Sequence, residues 1–291
     1  MRRYLRTLII LVVPVAILRT ADLLLFIDRE TGFVKQGSIY IRVAGCLFVL
    51  LLGLLTKLIC KRSLKSDGDD IESTNGSMER SSFAAGISFV IAGFATAVSS
   101  VGVLFAIFSS KEGLLLKKSS EELQHMGISK FYYIVLLGSA VVGVYVAFWM
   151  MLVGSWHFRG EGYFSLGRLG SVFVIFWYYL RIMKDFLKFP VNPNNTNSVA
   201  LLISVLALAV FYTKLAKSIS IDFPLADEPS LFSTGAIAFL LVVGIGTPTA
   251  VIFMKDGMID QVLVMCADFF AAVAALCSIY ARLPAKERKE S

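Results

Sequence analysis

The stretch FAAGISFVIAGFATAVSSVGVLFAIF, residues 83–108, contains no charged side chain. A helix of about 20 mostly apolar residues crosses the hydrocarbon core of a bilayer and satisfies its own backbone hydrogen bonds there. Residues 83–108 therefore predict a membrane-spanning helix. The same criterion, applied outward along the chain, predicts about eight spans and an all-α, polytopic integral membrane helical bundle. The predicted spans are residues 7–27, 38–60, 83–108, 131–154, 168–190, 198–216, 231–254 and 259–282.

Hydrophobic residues make up 57% of the 291-residue chain, and charged residues only 17%. Average soluble proteins contain about 45–50% and about 25%, so the excess apolar surface is expected to contact the lipid bilayer. The net charge of +7 comes from Lys and Arg in the short segments between the apolar runs. Basic loops facing an anionic membrane surface explain this charge, and no nucleic-acid partner is predicted.

The sequence shows no arrangement typical of a cofactor or metal site. His125 and His157 are isolated, and the cysteines match no zinc-ligand spacing. It contains no P-loop, no GxSxG motif and no nucleotide-binding fingerprint. No cofactor and no metal are therefore predicted, and enzymatic activity is the least favoured class of function. The cysteines, which we interpret as small packing residues, are Cys46, Cys60, Cys266 and Cys277.

Lys and Arg are concentrated in the N-terminal segment, in the loop after the second span and in the C-terminal tail. Because cytoplasmic loops carry such an excess, we predict a multi-pass protein of the cell membrane with both termini in the cytoplasm. An even number of spans requires the termini to share a side. Residues 61–82, rich in Ser, Gly and Asp, predict a flexible cytoplasmic loop. Residues 109–130 would lie outside, as a short interfacial helix or as a plain connector.

Short landmarks recur in the same order along two halves of the chain. They include Leu-Arg at 18–19 and 180–181, and Thr-Lys-Leu at 56–58 and 213–215. The pattern predicts a 4+4 internal repeat, and an even repeat unit would relate the halves by an axis along the membrane normal. Chance similarity between apolar segments is the alternative. The predicted four-helix halves are residues 1–160 and residues 161–291, the second with a short basic cytoplasmic tail.

In two of the predicted spans, an arginine is followed about one turn later by an acidic residue. Arg19 is followed one turn later by Asp22, and Arg181 by Asp185. A charge at the bilayer centre costs about 2.5–3.5 kcal/mol, so such residues pair, extend toward the head groups or face a polar cavity. One interpretation is local: each arginine pairs with its own acidic neighbour and reaches toward the lipid head groups.

A second interpretation brings these charges together. Arg42 lies at a similar predicted depth in the second span, and Lys184 follows Arg181 on the same helix. Under the predicted pseudo-symmetry, charges from both halves converge on an outward-facing vestibule. Guanidinium groups match the geometry of carboxylates and phosphates, so this vestibule would favour a small anionic solute or a lipid head group. The residues predicted to line it are Arg19, Asp22, Arg42, Arg181 and Asp185.

Asp268 lies near the middle of the eighth predicted span, too deep for its short side chain to reach water. It must be neutral, hydrogen-bonded, paired with a base from another helix, or beside water. Two roles are open: a structural bond between helices, or coupling to a proton or another cation. The sequence does not identify a partner for Asp268.

The seventh predicted span contains GIGTPT, residues 244–249. Pro248 removes a backbone donor, and Gly244 and Gly246 weaken the helix, so a kink or break is predicted there. The third span has the small, polar sequence SSVG at 99–102 in the corresponding place. Interrupted helices at matching positions are typical of transporter binding sites, whereas small residues can also serve close helix packing alone.

These observations favour a membrane protein that binds or transports a small solute, which is anionic under the vestibule interpretation. The alternative is a non-catalytic membrane subunit or scaffold that docks onto a larger complex. The partners expected are therefore the lipid bilayer and a small anionic solute or lipid head group. Under the alternative, a protein partner or a second copy of the chain takes their place.

Overall fold

A computed structural model describes residues 2–26, 39–66, 82–109, 130–159, 165–188, 196–220, 228–255 and 257–282. Within these ranges the chain is helical and contains no β-strand. The all-α prediction is therefore confirmed. The helices are α1 (Arg2–Leu25), α2 (Ile39–Ser66), α3 (Phe83–Ser109), α4 (Lys130–Arg159), α5 (Ser165–Lys188), α6 (Thr196–Ser220), α7 (Glu228–Leu241), α8 (Pro248–Lys255) and α9 (Ile259–Ala281).

Six helical segments are long and apolar enough to cross a membrane, which supports a membrane-embedded bundle. They lie in α1, α3, α4, α6, the α7–α8 rod and α9. The apolar stretch of α2, Leu47–Ile59, is shorter than the other six. Helix α5 is also outside this group, and its second half carries Arg181, Lys184 and Asp185. Length and composition thus support six spans, and the predicted count of eight depends on α2 and α5.

The helices pack around one core of large aromatic and aliphatic side chains. Helix α3 packs against α4 and α9, α4 against α5, and α5 against α6. Helix α7 contacts α2, α6 and α9, whereas α1 packs mainly against α8 and the turn before it. Helices from the two predicted halves therefore contact each other directly. The largest fully buried side chains include Trp149, Tyr178, Tyr212, Phe89 and Phe211.

Glycines bring α3 and α4 into close contact. A Cβ atom on Gly93 would lie 2.7 Å from the carbonyl oxygen of Ala147, and one on Gly154 would lie 2.8 Å from the carbonyl oxygen of Gly86. Only hydrogen fits at these two crossings. Small residues allow such backbone contact between helices in a membrane, where dispersion packing holds helices together.

The outer surface of the bundle is strongly apolar, with Phe94, Phe105, Phe148 and Phe176 among its exposed side chains. Soluble monomers do not expose apolar surface on this scale. Lipid contact accounts for it.

Two local predictions are wrong. Helix α2 continues to Ser66, so residues 61–66 are helical rather than part of a loop; no glycine or proline interrupts them. Helix α3 continues without a break through residues 99–102, because a single glycine without proline leaves the hydrogen-bond ladder intact. The rest of the predicted loop 61–82, the segment 110–129 and the tail 283–291 lie outside the described residues.

The helix of the seventh predicted span is irregular between α7 and α8. Residues Val242–Gly246 form a π-helical turn, in which the amide of Thr247 donates to the carbonyl oxygen of Val242 at 2.6 Å. Helix α8 then begins at Pro248, a position where the missing amide hydrogen costs no hydrogen bond. The irregularity coincides with Gly244, Gly246 and Pro248, where the sequence predicts a kink or break.

Candidate functional site

Helix α5 turns its polar face into the bundle. Trp177, Arg181 and Lys184 are spaced four and three residues apart, so they share one side of the helix. Arg181 is 4% exposed and Lys184 is 7% exposed. The opposite side carries exposed apolar residues such as Phe176 and Phe186. Helix α5 therefore packs its charged side chains against protein and leaves its apolar side chains on the outer surface.

The guanidinium of Arg181 forms a two-pronged ion pair with Asp268 of α9. Nη1 donates to Oδ1, and Nη2 donates to Oδ2 at 2.7 Å. Arg181 lies roughly 10 Å from the end of α5, and Asp268 roughly 13 Å from the start of α9, at 1.5 Å per residue. Both side chains are buried. Of the options open to Asp268 from its sequence position, the structure shows pairing with a base from another helix.

Beside this ion pair is a small, partly open space between α3, α4, α5 and α9, which we call the Arg181 cavity. Its volume is about 30 Å³. Its walls combine serine hydroxyls, an indole, two cations and aliphatic side chains. The lining residues are Ser99, Ser100, Val103, Leu136, Ser139, Ala140, Trp177, Arg181, Lys184, Val264 and Ala267.

Hydrogen-bond donors dominate the polar wall of the Arg181 cavity. Among the described residues, Arg181 uses two of its five N–H donors, both on Asp268. Its guanidinium carbon also lies 5.0 Å from the ring centre of Trp177, a cation–π contact. Lys184 supplies a second cation, and its Nζ atom lies 3.3 Å from Oδ1 of Asp185.

Gly143 of α4 leaves room for two of the lining side chains. A Cβ atom built on Gly143 would overlap the hydroxyl of Ser100 and would lie 2.8 Å from Nε1 of Trp177. Both groups therefore depend on the missing side chain for their present positions. A methyl group here would push them into the cavity.

Two tyrosines lie behind Asp268, on the side away from Lys184. The hydroxyl of Tyr212 donates to the carbonyl oxygen of Ala271 at 3.0 Å. The ring of Tyr178 stacks on that of Tyr212 with 5.5 Å between centroids. The buried hydroxyl of Tyr178 has no hydrogen-bond partner in the part of the chain that the structure describes. Both hydroxyls are near enough to Asp268 for its charge to act on them.

The predicted vestibule is not what the described residues form. Arg19 pairs with Asp22 at 2.5 Å on α1, as the local interpretation expects, and it does not line the Arg181 cavity. Arg181 pairs with Asp268 rather than with Asp185, which pairs instead with Lys184. The pairing expected by the local interpretation is therefore found for Arg19 and not for Arg181.

Arg42 belongs to α2, but its side chain lies outside the described residues. The π-helical turn is also separate from the Arg181 cavity. A Cβ atom on Gly244 would lie 3.1 Å from Val15 of α1, and the hydroxyl of Ser204 donates to the carbonyl oxygen of Leu241 at 3.2 Å. The turn thus serves contacts with α1 and α6, and none of its residues lines the cavity.

Sequence reasoning missed Ser139, Trp177 and Gly143 as parts of a site. The available signal is the spacing of Trp177, Arg181 and Lys184 on one face of α5. From sequence alone, Ser99-Ser100 predicts an interruption of the third span rather than a binding site. Within the described residues, no cluster of three or more His, Cys, Asp or Glu side chains is arranged to hold a metal ion.

Comparison with known proteins finds no matching family model, no similar curated protein and no similar solved structure.

Proposed function

We propose that the protein binds a small anion in the Arg181 cavity, as the binding step of transport across the membrane. The observation that supports the proposal is that two cationic residues, three serines and a tryptophan line one space between four helices. Charged groups inside a bundle usually mark a solute or ion pathway, because burying them without such a role is costly.

The sign of the ligand follows from the groups that line the cavity. Arg181 and Lys184 reach it, whereas no carboxylate is among the described lining residues. The hydroxyls of Ser99 and Ser100 and the indole N–H of Trp177 can donate hydrogen bonds to an anion, whereas the hydroxyl of Ser139 already donates to the carbonyl oxygen of Leu136. The guanidinium can contribute the N–H donors that it does not use on Asp268.

The size of the ligand follows from the volume. About 30 Å³ accommodates roughly two or three water-sized groups, at about 10–15 Å³ for each. A chloride ion or a formate ion is of this size, and a phosphate ester is not. The proposal therefore concerns a small inorganic or carboxylate anion.

The arrangement in the membrane is part of the proposal. We take α2 and α5 as the two spans beyond the six apolar segments, which gives eight crossings with both termini in the cytoplasm of a cell-membrane protein. The charges of α5 favour this reading, because its polar face is covered by α4, α6 and α9. The internal repeat stays a prediction, since Arg19 and Arg181 have partners of different kinds.

Binding is tested with the full-length protein purified in detergent, by calorimetry and by thermal denaturation. Sodium chloride and sodium formate are titrated on a sodium gluconate background. Saturable stabilisation of the wild type by either anion is expected. Gly143→Ala should weaken that binding about fivefold or more, since overpacking costs about 1–3 kcal/mol. No saturable response of the wild type would overturn the proposal.

The matched control is Gly138→Ala on the same helix. A Cβ atom there meets only Leu180, at 3.8 Å, an ordinary van der Waals distance. This variant should bind the anion like the wild type. Equal binding by both alanine variants would place the anion elsewhere. The membrane-subunit alternative would be favoured if the wild type binds neither anion and copurifies stoichiometrically with another chain.

A further inference from the structure

The charges around the Arg181 cavity are balanced before any anion enters. Arg181 faces Asp268, and Lys184 faces Asp185. Two cations are therefore matched by two carboxylates. An additional anion would leave the site with a net negative charge, which a water-poor interior strongly opposes.

A proton that enters with the anion removes this difficulty. Neutralising one carboxylate restores the balance and frees its cation for the incoming ligand. Asp268 is the carboxylate whose neutralisation would free Arg181, because it holds that guanidinium by both oxygens and its side chain is only 6% exposed. The side chain of Asp185 is 28% exposed, so its charge is shared with the surroundings.

From this charge balance we infer that the anion and a proton bind together, with the proton on Asp268 and the anion in its place as the counter-ion of Arg181. This inference rests on the proposed function. The proton adds to one carboxylate oxygen, no other covalent bond changes, and the anion accepts hydrogen bonds from the N–H donors of Arg181 that Asp268 does not use.

The groups that face Asp268 are compatible with this exchange. Helix α5 contributes Tyr178 and Arg181, with Lys184 and Asp185 one turn further along. Helix α6 contributes Tyr212, whose hydroxyl donates a hydrogen bond to the carbonyl oxygen of Ala271.

The other elements packed against α9 add no competing acid or base near Asp268. The sequences of α3 and the π-helical turn contain no titratable side chain. The only ionisable residues of α7 and α8 are Glu228, at the first position of α7, and Lys255, at the last position of α8. Among the described residues, Asp268 is therefore the carboxylate that forms the ion pair with the buried guanidinium of Arg181.

The test measures proton uptake during anion binding. Full-length wild-type protein in weakly buffered detergent solution receives sodium chloride or sodium nitrate, whose anions carry no proton themselves, while a pH indicator reports uptake. We expect about one proton for each anion bound, and therefore up to about tenfold tighter binding for each pH unit of acidification. Anion binding without proton uptake would overturn the coupling and leave the proposed function intact.

Variants assign the proton to a residue. Asp268→Asn should bind chloride without proton uptake and without pH dependence, and chloride should raise its thermal stability more than that of the wild type. Asp22→Asn, in the ion pair on α1, should keep the uptake of the wild type. Proton uptake that persists in Asp268→Asn would overturn the assignment to Asp268. If that variant does not fold, the stoichiometry of the wild type decides the coupling alone, and absence of saturable anion binding in the wild type would instead reject the proposed function.

Discussion

At position 181, a guanidinium lies between a carboxylate on one side and a polar cavity on the other. Arg19 has similar sequence surroundings but a different situation, because its carboxylate comes from the same helix. A local pair survives any movement between helices. The pair between Arg181 and Asp268 instead breaks whenever α5 and α9 separate. Each buried charge then loses its partner, which is energetically costly.

Removing the charge of Asp268 should destabilise the fold more than removing that of Asp22. Asp268→Asn leaves a buried guanidinium without its counter-ion, and we expect a loss of about 3–5 kcal/mol in the free energy of unfolding in anion-poor detergent solution. Asp22→Asn should cost at most about 1 kcal/mol. Denaturation monitored by circular dichroism measures both.

The double variant Arg181→Gln/Asp268→Asn provides the control for this prediction. It removes both charges together, so most of the lost stability should return. A double variant as unstable as Asp268→Asn would show that the loss arises from packing around Asp268 rather than from an uncompensated charge.

The sequence predicts that Asp268 needs shelter, because a short acidic side chain in the middle of an apolar helix has few options. It does not predict Arg181 as the partner. The two residues are 87 positions apart, and their pairing depends on the rotation of α5 and α9 about their axes. An acidic neighbour on the same helix, Asp185, offers an equally plausible partner by spacing alone.

At the scale of helices, the bundle uses glycine where axes cross closely. Helix α2 meets α7 at Gly53, whose carbonyl oxygen accepts a hydrogen bond from the hydroxyl of Ser233 at 2.7 Å. A Cβ atom at Gly53 would overlap the side chain of Ile237. This crossing holds a helix with a short apolar stretch against the core.

Gly53→Ala should therefore loosen α2, with a loss of about 1–3 kcal/mol in the free energy of unfolding. Gly45→Ala, two turns earlier on the same helix, is the matched control, because nothing lies within 4 Å of its added Cβ atom. The control should be as stable as the wild type or slightly more so, since alanine favours a helix. Thermal denaturation of both variants in detergent checks the difference, and equal stabilities would mean that α2 does not depend on this crossing.

Helix existence is more predictable than helix continuity. The long apolar run of 83–108 has one natural outcome in a membrane, and α3 matches it closely. Its Ser-Ser-Val-Gly segment suggests an interruption only by analogy with GIGTPT. The two segments differ in proline. Pro248 has no backbone N–H to donate to the helical hydrogen bonds, whereas residues 99–102 all have one.

For the molecule as a whole, eight crossings require α2 and α5 to span the bilayer. The prediction is tested by labelling single cysteines in a chain whose native cysteines are replaced. Ser77→Cys and Ser291→Cys should react with a membrane-impermeant maleimide only from the cytoplasmic side, and Asn194→Cys only from the opposite side. Reaction of Asn194→Cys from the cytoplasm would mean that α5 does not cross.

The architecture also shows why the predicted vestibule fails. The vestibule depends on an exact 4+4 symmetry, which would place Arg19 and Arg181 alike. In the structure α5 packs against α4 and α6, whereas α1 packs mainly against α8 and the π-helical turn. Sequence landmarks carry no information about which neighbours a helix acquires, so equivalent residues can lie in unlike surroundings.

The ion pair between α5 and α9 has a consequence for how the chain is made. A ribosome adds about 5–20 residues per second, so Asp268 emerges on the order of ten seconds after Arg181. During that interval α5 carries an unmatched guanidinium and is a poor substrate for the insertion machinery. On the proposed eight-span arrangement, α5 reaches its final position in the bilayer only after α9 has been made, so a truncation that removes α9 should also displace α5.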